Sequence, residues 1–348
     1  MPAYRLAFLP GDGIGPEVAA EARKVVDALG LPVTWSELDW GSDYYHRNGR
    51  LMPVDAIDTV RAHDAVLLGA VGDPSVPDHL TLWGLLLPLR QQLDLWANLR
   101  PARLFAGVPC PLAGRSPADV DMLFLRENSE GEYSGVGGRA HQGLHHEVAV
   151  ETSVFTREGV ERVIRYAFEL AEGRRGLVTS ATKSNASRFG YVLWDEVAAE
   201  VAAEHPGVRY ERVLVDALAA RMVRSPESLD IVVASNLFGD ILTDLAAAIQ
   251  GGLGMAASAN LAPGAGVPGL FEPVHGSAPD IAGRGLANPC GCVWSVALML
   301  EHLGEREAAA RVLGALEDVC RDGPRTSDIG GSASTAEVGD AIAALVAS

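Results

Sequence analysis

Asp240 and Asp244 stand four residues apart in the segment Ser235-Asn236-Leu237-Phe238-Gly239-Asp240-Ile241-Leu242-Thr243-Asp244-Leu245, the spacing that puts two side chains on one face of a helix. Two carboxylates held that close repel unless a cation lies between them, and an all-oxygen donor set suits Mg²⁺ or Mn²⁺. The plainer reading is a solvated acidic face. Against it, Ile241, Leu242 and Leu245, with the apolar run Ile231–Ala234 ahead of them, argue for a largely buried helix. Asp216 closes another strand-like run, residues 213–215, and would add a third carboxylate if the fold brings it near. An aspartate at a strand end is otherwise a turn residue.

Arg90, Arg100 and Arg126 each end or follow an apolar stretch, LLLPLR, ANLRP and MLFLRE. A guanidinium that cannot reach bulk water is suited to bidentate carboxylate recognition. Singly, each is an ordinary surface ion-pair partner; three in like settings point to a substrate with more than one carboxylate. Lys183, in Ser180-Ala181-Thr182-Lys183-Ser184-Asn185, and Tyr133, in Arg126-Glu127-Asn128-Ser129-Glu130-Gly131-Glu132-Tyr133, are candidates for proton transfer. A lysine among small residues near a metal can have its pKa lowered and act as a base, although solvation and packing are the plainer fates of a lone lysine and a lone tyrosine.

Two glycine-rich stretches remain. Gly11-Asp12-Gly13-Ile14-Gly15-Pro16-Glu17 follows a strand-like run and opens a helix, with Pro16 in a first-turn position. Its spacing is GxGxG and proline, so it lacks the third glycine of the dinucleotide fingerprint and reads first as a tight turn. The stretch Phe271-Glu272-Pro273-Val274-His275-Gly276-Ser277-Ala278-Pro279-Asp280-Ile281-Ala282-Gly283, followed by Asn288-Pro289, offers backbone N–H groups and a carboxylate to a nucleotide, or is simply a long loop.

The elements that must position these groups alternate. Apolar runs at residues 6–9, 65–68, 123–125 and Ile231–Ala234 are interleaved with amphipathic helix-length segments at 16–29, 157–171 and 191–204, the pattern of an α/β protein. Residues 139–155 instead alternate polar and apolar positions like a hairpin, and we expect a subunit contact there. Residues 335–346 read as a capped closing helix. At 348 residues and 48% hydrophobic content the chain is long enough for two lobes with a cleft between them. A net charge of −17 argues against nucleic acid or an anionic membrane surface, both of which need a positive face. Cys110, Cys290, Cys292 and Cys320 show no CxxC and no metal-like spacing, which reads as reduced thiols in the cytoplasm. No stretch of 18 apolar residues and no signal-like segment is present, so neither a membrane span nor secretion is expected.

Taken in order from Gly11 to about Thr335, these motifs resemble the β-decarboxylating dehydrogenases, the family of isopropylmalate, isocitrate, homoisocitrate, tartrate and D-malate dehydrogenases. The resemblance implies an isopropylmalate dehydrogenase-like α/β fold, not a Rossmann fold, in which two lobes share a large mixed sheet. The cofactor-binding lobe would take residues 1–103 and 250–348; the lobe for dimerisation, metal and substrate would take 104–249. By the same resemblance Arg90, Arg100 and Arg126 bind the substrate carboxylates, and Asp216, Asp240 and Asp244 bind Mg²⁺ or Mn²⁺. Lys183 is the base for the hydroxyl proton and Tyr133 the acid that protonates carbon. His275, Gly276, Ser277, Ala278, Asp280 and Asn288 would hold adenosine, and Asp280 implies NAD, since a carboxylate accepts from a ribose 2′-OH and repels a 2′-phosphate. The resemblance further implies a homodimer with shared active sites, Lys183 and Asp216 reaching over from the partner, with K⁺ as an additional cofactor to test.

Within that family the residues before the first arginine line the pocket for the C3 substituent. Where isocitrate enzymes carry serine and asparagine this chain has Gly84 and Leu86; where isopropylmalate enzymes carry glutamate it has Trp83. No basic residue of the homoisocitrate kind occurs between His79 and Arg90. The run Asp78-His79-Leu80-Thr81-Leu82-Trp83-Gly84 is similar to tartrate and D-malate dehydrogenases, with the Trp83 indole filling space that an alkyl group would otherwise take. NAD-dependent oxidative decarboxylation of D-malate or tartrate is therefore the expected activity. The alternatives are 3-isopropylmalate or another substituted malate as substrate, and a noncatalytic regulatory subunit, which the presence of Lys183, Tyr133 and three aspartates disfavours.

Overall fold

The computed structural model describes residues 3–348; Met1 and Pro2, at the head of the first expected lobe, lie outside the described residues. The strands are β1 Tyr4–Gly11, β2 Val33–Glu37, β3 Ala65–Ala70, β4 Ala97–Arg103, β5 Asp121–Glu127, β6 Gly131–Ala140, β7 Val148–Val154, β8 Leu177–Thr182, β9 Arg209–Leu214, β10 Ile231–Ala234, β11 Ala257–Leu261 and β12 Gly269–Pro273. Ten of them form one sheet in the order β2-β1-β3-β12-β11-β4-β5-β10-β8-β9, and β6 and β7 pair separately. The sheet is mixed, as expected. Its two flanks are parallel, while β11 runs antiparallel to β12 and β4, and β4 antiparallel to β5.

Helices on both faces explain the apolar runs, because a parallel strand covered on both sides must be hydrophobic throughout. Every residue of β3, β8 and β10 is buried. Alternate side chains feed two cores. Leu6, Phe8, Ala65 and Leu67 join the larger one with Val18, Ala22, Phe105, Phe168 and Trp194, whereas Leu9, Val66 and Leu68 pack on Trp40, Leu51, Val60, Leu85 and Leu89. Strands from residues 1–103 and 250–348 occupy the β2-to-β4 side of the sheet and strands from 104–249 the β5-to-β9 side; a lobe division at those boundaries is our proposal.

The helix segments form with ends shifted by a residue or so: Gly15–Ala28, Arg157–Glu172, Gly190–Glu204 and Thr335–Ala347. The last carries a capping box, Ser334 accepting from the Glu337 N–H while the Glu337 carboxylate accepts from the Ser334 N–H. Three expectations need correction. Asp216 does not end a strand: β9 stops at Leu214 and Asp216 lies in the first turn of the helix Val215–Arg224. Ile241 is 59% exposed, so the helix Asn236–Ile249 buries only one face, through Leu242, Thr243, Ala246 and Ile249. The hairpin begins at Gly131, eight residues before the expected start, because the run of glycines after Tyr133 hides the first strand's alternation.

Candidate active site

Three buried arginines converge on one cavity of about 370 Å³, lined also by Tyr133, Asp240 and Glu272. Each arrives from a different element. Arg90 sits on the helix Leu87–Gln92, which follows a five-residue π-helical turn, Leu82–Leu86. Pro88 has no N–H to return to the Gly84 carbonyl, a natural place for the helix to widen. Leu85 and Leu89, both fully buried, anchor this segment in the smaller core and turn Arg90 inward. Arg100 comes from the middle of β4, and Arg126 from the carboxyl end of β5, where ligands of open α/β sheets tend to bind.

Each guanidinium is held by groups that leave part of its donor fork free. Arg90 donates to Glu272 at 2.8 Å, and its Nε has no partner. Arg100 donates to Asn98 and to Thr243, each at 2.7 Å, and lies 3.7 Å from the Asp240 carboxylate. Arg126 donates to Asn236 at 2.7 and 3.0 Å and pairs with Asp240. Gly239 lets the Arg126 stem pass, since a Cβ there would stand 2.6 Å from it. Burial pushes the Arg100 and Arg126 guanidiniums below their ordinary pKa, and mutual repulsion among the arginines adds to it. Asp78, Asp240 and Glu272 also line the cavity, but Glu272 and Asp240 are already paired with Arg90 and Arg126, so the guanidinium donors left over, the partnerless Arg90 Nε among them, are what suit the site to an anion.

Asp240 and Asp244 share one helix face as their spacing requires. Burial acts to raise the Asp240 pKa, but Arg126, Arg100 and Arg90 outweigh it and hold the carboxyl below its usual range. Asp244, one turn on, is pushed up by burial and by Asp240. The Tyr133 hydroxyl lies 3.4 Å from Asp240, with Arg126 over its ring at 5.7 Å. Burial, then Asp240, raises its pKa and keeps the phenol protonated, as a proton donor must be.

Lys183 and Asp216 are elsewhere. They bond to each other at 2.5 Å beyond the ends of β8 and β9, partly exposed, and neither lines the arginine cavity. Among the described residues no three His, Cys, Asp or Glu side chains form a metal-sized cluster. Asp240 and Asp244 fit a hard divalent cation by donor type, and two carboxylates leave the rest of its oxygen shell to water, substrate or a further protein oxygen.

The remaining expected residues divide. His275 and Gly276 line the cavity; His275 has a partnerless buried Nε2, and burial lowers its pKa so that the ring is neutral. Thr81 adds another partnerless hydroxyl to the same lining. Unpaired buried polar atoms of this kind need a ligand or water, so the cavity wall fits a polar cofactor. Ser277 turns its carbonyl to the Ile14 N–H at 2.8 Å, Ala278 adopts φ +39°, and Asp280 is exposed beyond them. Asn288 faces inward, donating to Asp328 at 3.0 Å and accepting from the Cys290 N–H at 3.0 Å. Trp83, 43% exposed, lies beside the arginine cavity rather than in its wall: Leu82, Leu86 and Leu87 form that wall, and the indole rests against Gly135 of β6.

Sequence reasoning passed over Asn98, Ser258, Asn260 and Glu272, which form a buried polar band across β4, β11 and β12: Asn98 donates to Ser258 and Asn260, and Asn260 to Glu272. Their signal was present as polar residues at alternate positions, Asn98 and Arg100, Ser258 and Asn260, inside otherwise apolar strands. Asn236, one helical turn before Asp240, carries a different signal, a polar residue on the same helix face as that aspartate.

A family model described as isocitrate/isopropylmalate dehydrogenase matches residues 5–342. The chain is 52% identical to a probable tartrate dehydrogenase/decarboxylase of Agrobacterium vitis, covering 100% of this chain and 99% of the relative. It is 48% identical to the D-malate dehydrogenase (decarboxylating) of Escherichia coli K12, covering 99% of each. Among solved structures, the isocitrate dehydrogenase of Methylococcus capsulatus superposes with a TM-score of 0.91 at 37% identity, over 99% of this chain and all of that one.

Proposed function

This chain belongs to the isocitrate/isopropylmalate dehydrogenase family, and from that premise we propose that it oxidises and decarboxylates a small 2-hydroxy dicarboxylate, D-malate or tartrate, with NAD as the acceptor. The observation that carries the reading is the convergence of Arg90, Arg100 and Arg126, all buried, on one cavity beside Tyr133 and Asp240. Three guanidiniums from three different elements, each with donors left over, match a ligand with two carboxylates better than a monoanion.

Asp240 and Asp244, with Asp216 of the partner subunit, would hold a divalent cation, which would supply Lewis-acid polarisation of the substrate's hydroxyl, and NAD would supply the hydride acceptor. The chain's own groups do the rest. Arginines fix both carboxylates so that C2 and C3 are presented in one orientation. Lys183 of the partner takes the hydroxyl proton at Nζ, and the Tyr133 hydroxyl gives the proton that replaces CO₂ on C3. Sharing the site across a homodimer is supported by the separation of the Lys183–Asp216 pair from the cavity. The exposed Val136, Val148 and Val150 of the β6–β7 ribbon support it too, since a lone two-stranded ribbon is marginally stable. NAD rather than NADP rests on Asp280; Mg²⁺ or Mn²⁺ rests on the oxygen donors, with K⁺ to be tested. The four cysteines, free in this fold, support a cytoplasmic setting, and no helix among the described residues is long and apolar enough to cross a membrane.

A second substrate has a specific observation in its favour. Leu82, Leu86 and Leu87 give the cavity an apolar wall that would accept an isopropyl group, as in 3-isopropylmalate. Comparing kcat/KM for D-malate, tartrate and 3-isopropylmalate with Mn²⁺ and NAD separates the two. A preference for D-malate or tartrate is expected; a clear win for isopropylmalate would assign the leucine wall to the substrate's alkyl group and overturn the choice of acid.

A further inference from the structure

The glycine-rich turn at residues 11–17 does not line the arginine cavity; it grips the loop 275–288. The Glu17 carboxylate accepts from the Gly283 N–H at 2.5 Å and the Gly285 N–H at 2.9 Å. Both glycines have positive φ, +73° and +63°, which aims their two N–H groups at one oxygen pair. Upstream, the Ile14 N–H donates to the Ser277 carbonyl, and Gly13 at φ +59° has no room for a Cβ, which would stand 2.1 Å from that oxygen. Thr335 fastens the far end, its N–H donating to Gly285 and its hydroxyl to Ala287. Between these clips residues 278–282, with the exposed Asp280, have neither strand nor helix to shape them.

We propose that Glu17 is a positioning residue for the nucleotide: its carboxylate fixes the loop 275–288, before any ligand arrives, in the shape that receives adenosine. The inference rests on the reading of that loop as the nucleotide site. Without the clip the loop must be ordered at the moment of binding, and that entropy is taken from affinity. Among the described residues, Glu17 is the one side chain that holds the stretch between the Ser277 and Thr335 clips through a pair of bonds, and hydrogen bonds to an ionised acceptor are the stronger kind. Glu17→Gln keeps the shape and one acceptor oxygen but turns an NH₂ towards the second N–H, donor against donor.

The test follows hydrogen–deuterium exchange of residues 277–287 in the cofactor-free protein and the Kd for NADH by titration calorimetry, in the parent and in Glu17→Gln, with Glu17→Ala as a second variant. The expected result is faster exchange confined to this loop and an NADH Kd raised roughly tenfold, while KM for the dicarboxylate and the melting temperature hold. Unchanged exchange together with unchanged Kd overturns the role of Glu17. Exchange with NADH added to the parent tells that failure from the other: protection of 275–288 keeps the loop as the nucleotide site, so only Glu17 falls, whereas protection elsewhere removes both.

Discussion

At the residue scale, guanidinium geometry decides how the substrate is held. Arg126 spends Nε and one Nη on Asn236 and another edge on Asp240, so its planar fork is fixed before substrate enters. Lysine would keep the charge and lose the fork. Arg126→Lys is therefore expected to lower kcat/KM by about 10²-fold, on the order of two charge-assisted hydrogen bonds, in steady-state NADH assays; a loss under threefold would mean that Arg126 touches no carboxylate. Asp280→Ala should narrow the preference for NAD over NADP, measured as the ratio of their kcat/KM values, and an unchanged ratio would sink the cofactor assignment. Asp240, Asp244 and the three arginines were legible as single residues because each has a chemical type out of keeping with its apolar surroundings, whereas Tyr133, in a polar run, took its role from the family resemblance alone. Glu272 and Asn98 were not legible. They lie 182 and 160 positions from the partners Arg90 and Ser258, and only strand order brings them together.

At the element scale two local devices decide where groups point. The π-helical turn before Pro88 and the anchors Leu85 and Leu89 aim Arg90, so Leu89→Ala should cost about 2–5 kcal/mol in denaturant unfolding and raise KM for the dicarboxylate more than for NAD. Equal effects on both KM values would show that the segment does not position Arg90 separately. The closing helix depends on its capping box. Backbone bonding to the Ser334 N–H, then the Ser334 hydroxyl, lowers the Glu337 pKa below its ordinary value. The folded pKa is thus the lower one, so this contribution is complete above the unfolded-state value and is lost as pH falls through the folded value. Ser334→Ala should cost about 1 kcal/mol near neutrality and flatten the acid limb of melting temperature against pH. A parallel shift at all pH values would contradict the linkage. Element types and most boundaries could be read from periodicity, while the start of β6 and the helical place of Asp216 could not, since a glycine run and a short strand-to-helix junction carry little periodic signal.

On the scale of the whole molecule, the sheet order places the arginine cavity at one set of strand ends and leaves Lys183 and Asp216 on the β8–β9 edge, away from it. A two-fold dimer would let each chain complete the other's site. Mixing Lys183→Met with Tyr133→Phe chains tests this: heterodimers would carry one site with both groups intact, so random reassortment should recover about a quarter of the parent's sites, whereas a site contained in one chain would recover none. The α/β class was legible from alternation alone, but the mixed sheet and its split between chain ends and chain middle depend on contacts no local pattern encodes. The most direct measurement is the stoichiometry of products from D-malate with Mn²⁺ and NAD. One NADH, one CO₂ and one pyruvate per malate consumed are expected; NADH without CO₂, or no NADH from any small 2-hydroxy dicarboxylate, would overturn the proposed reaction.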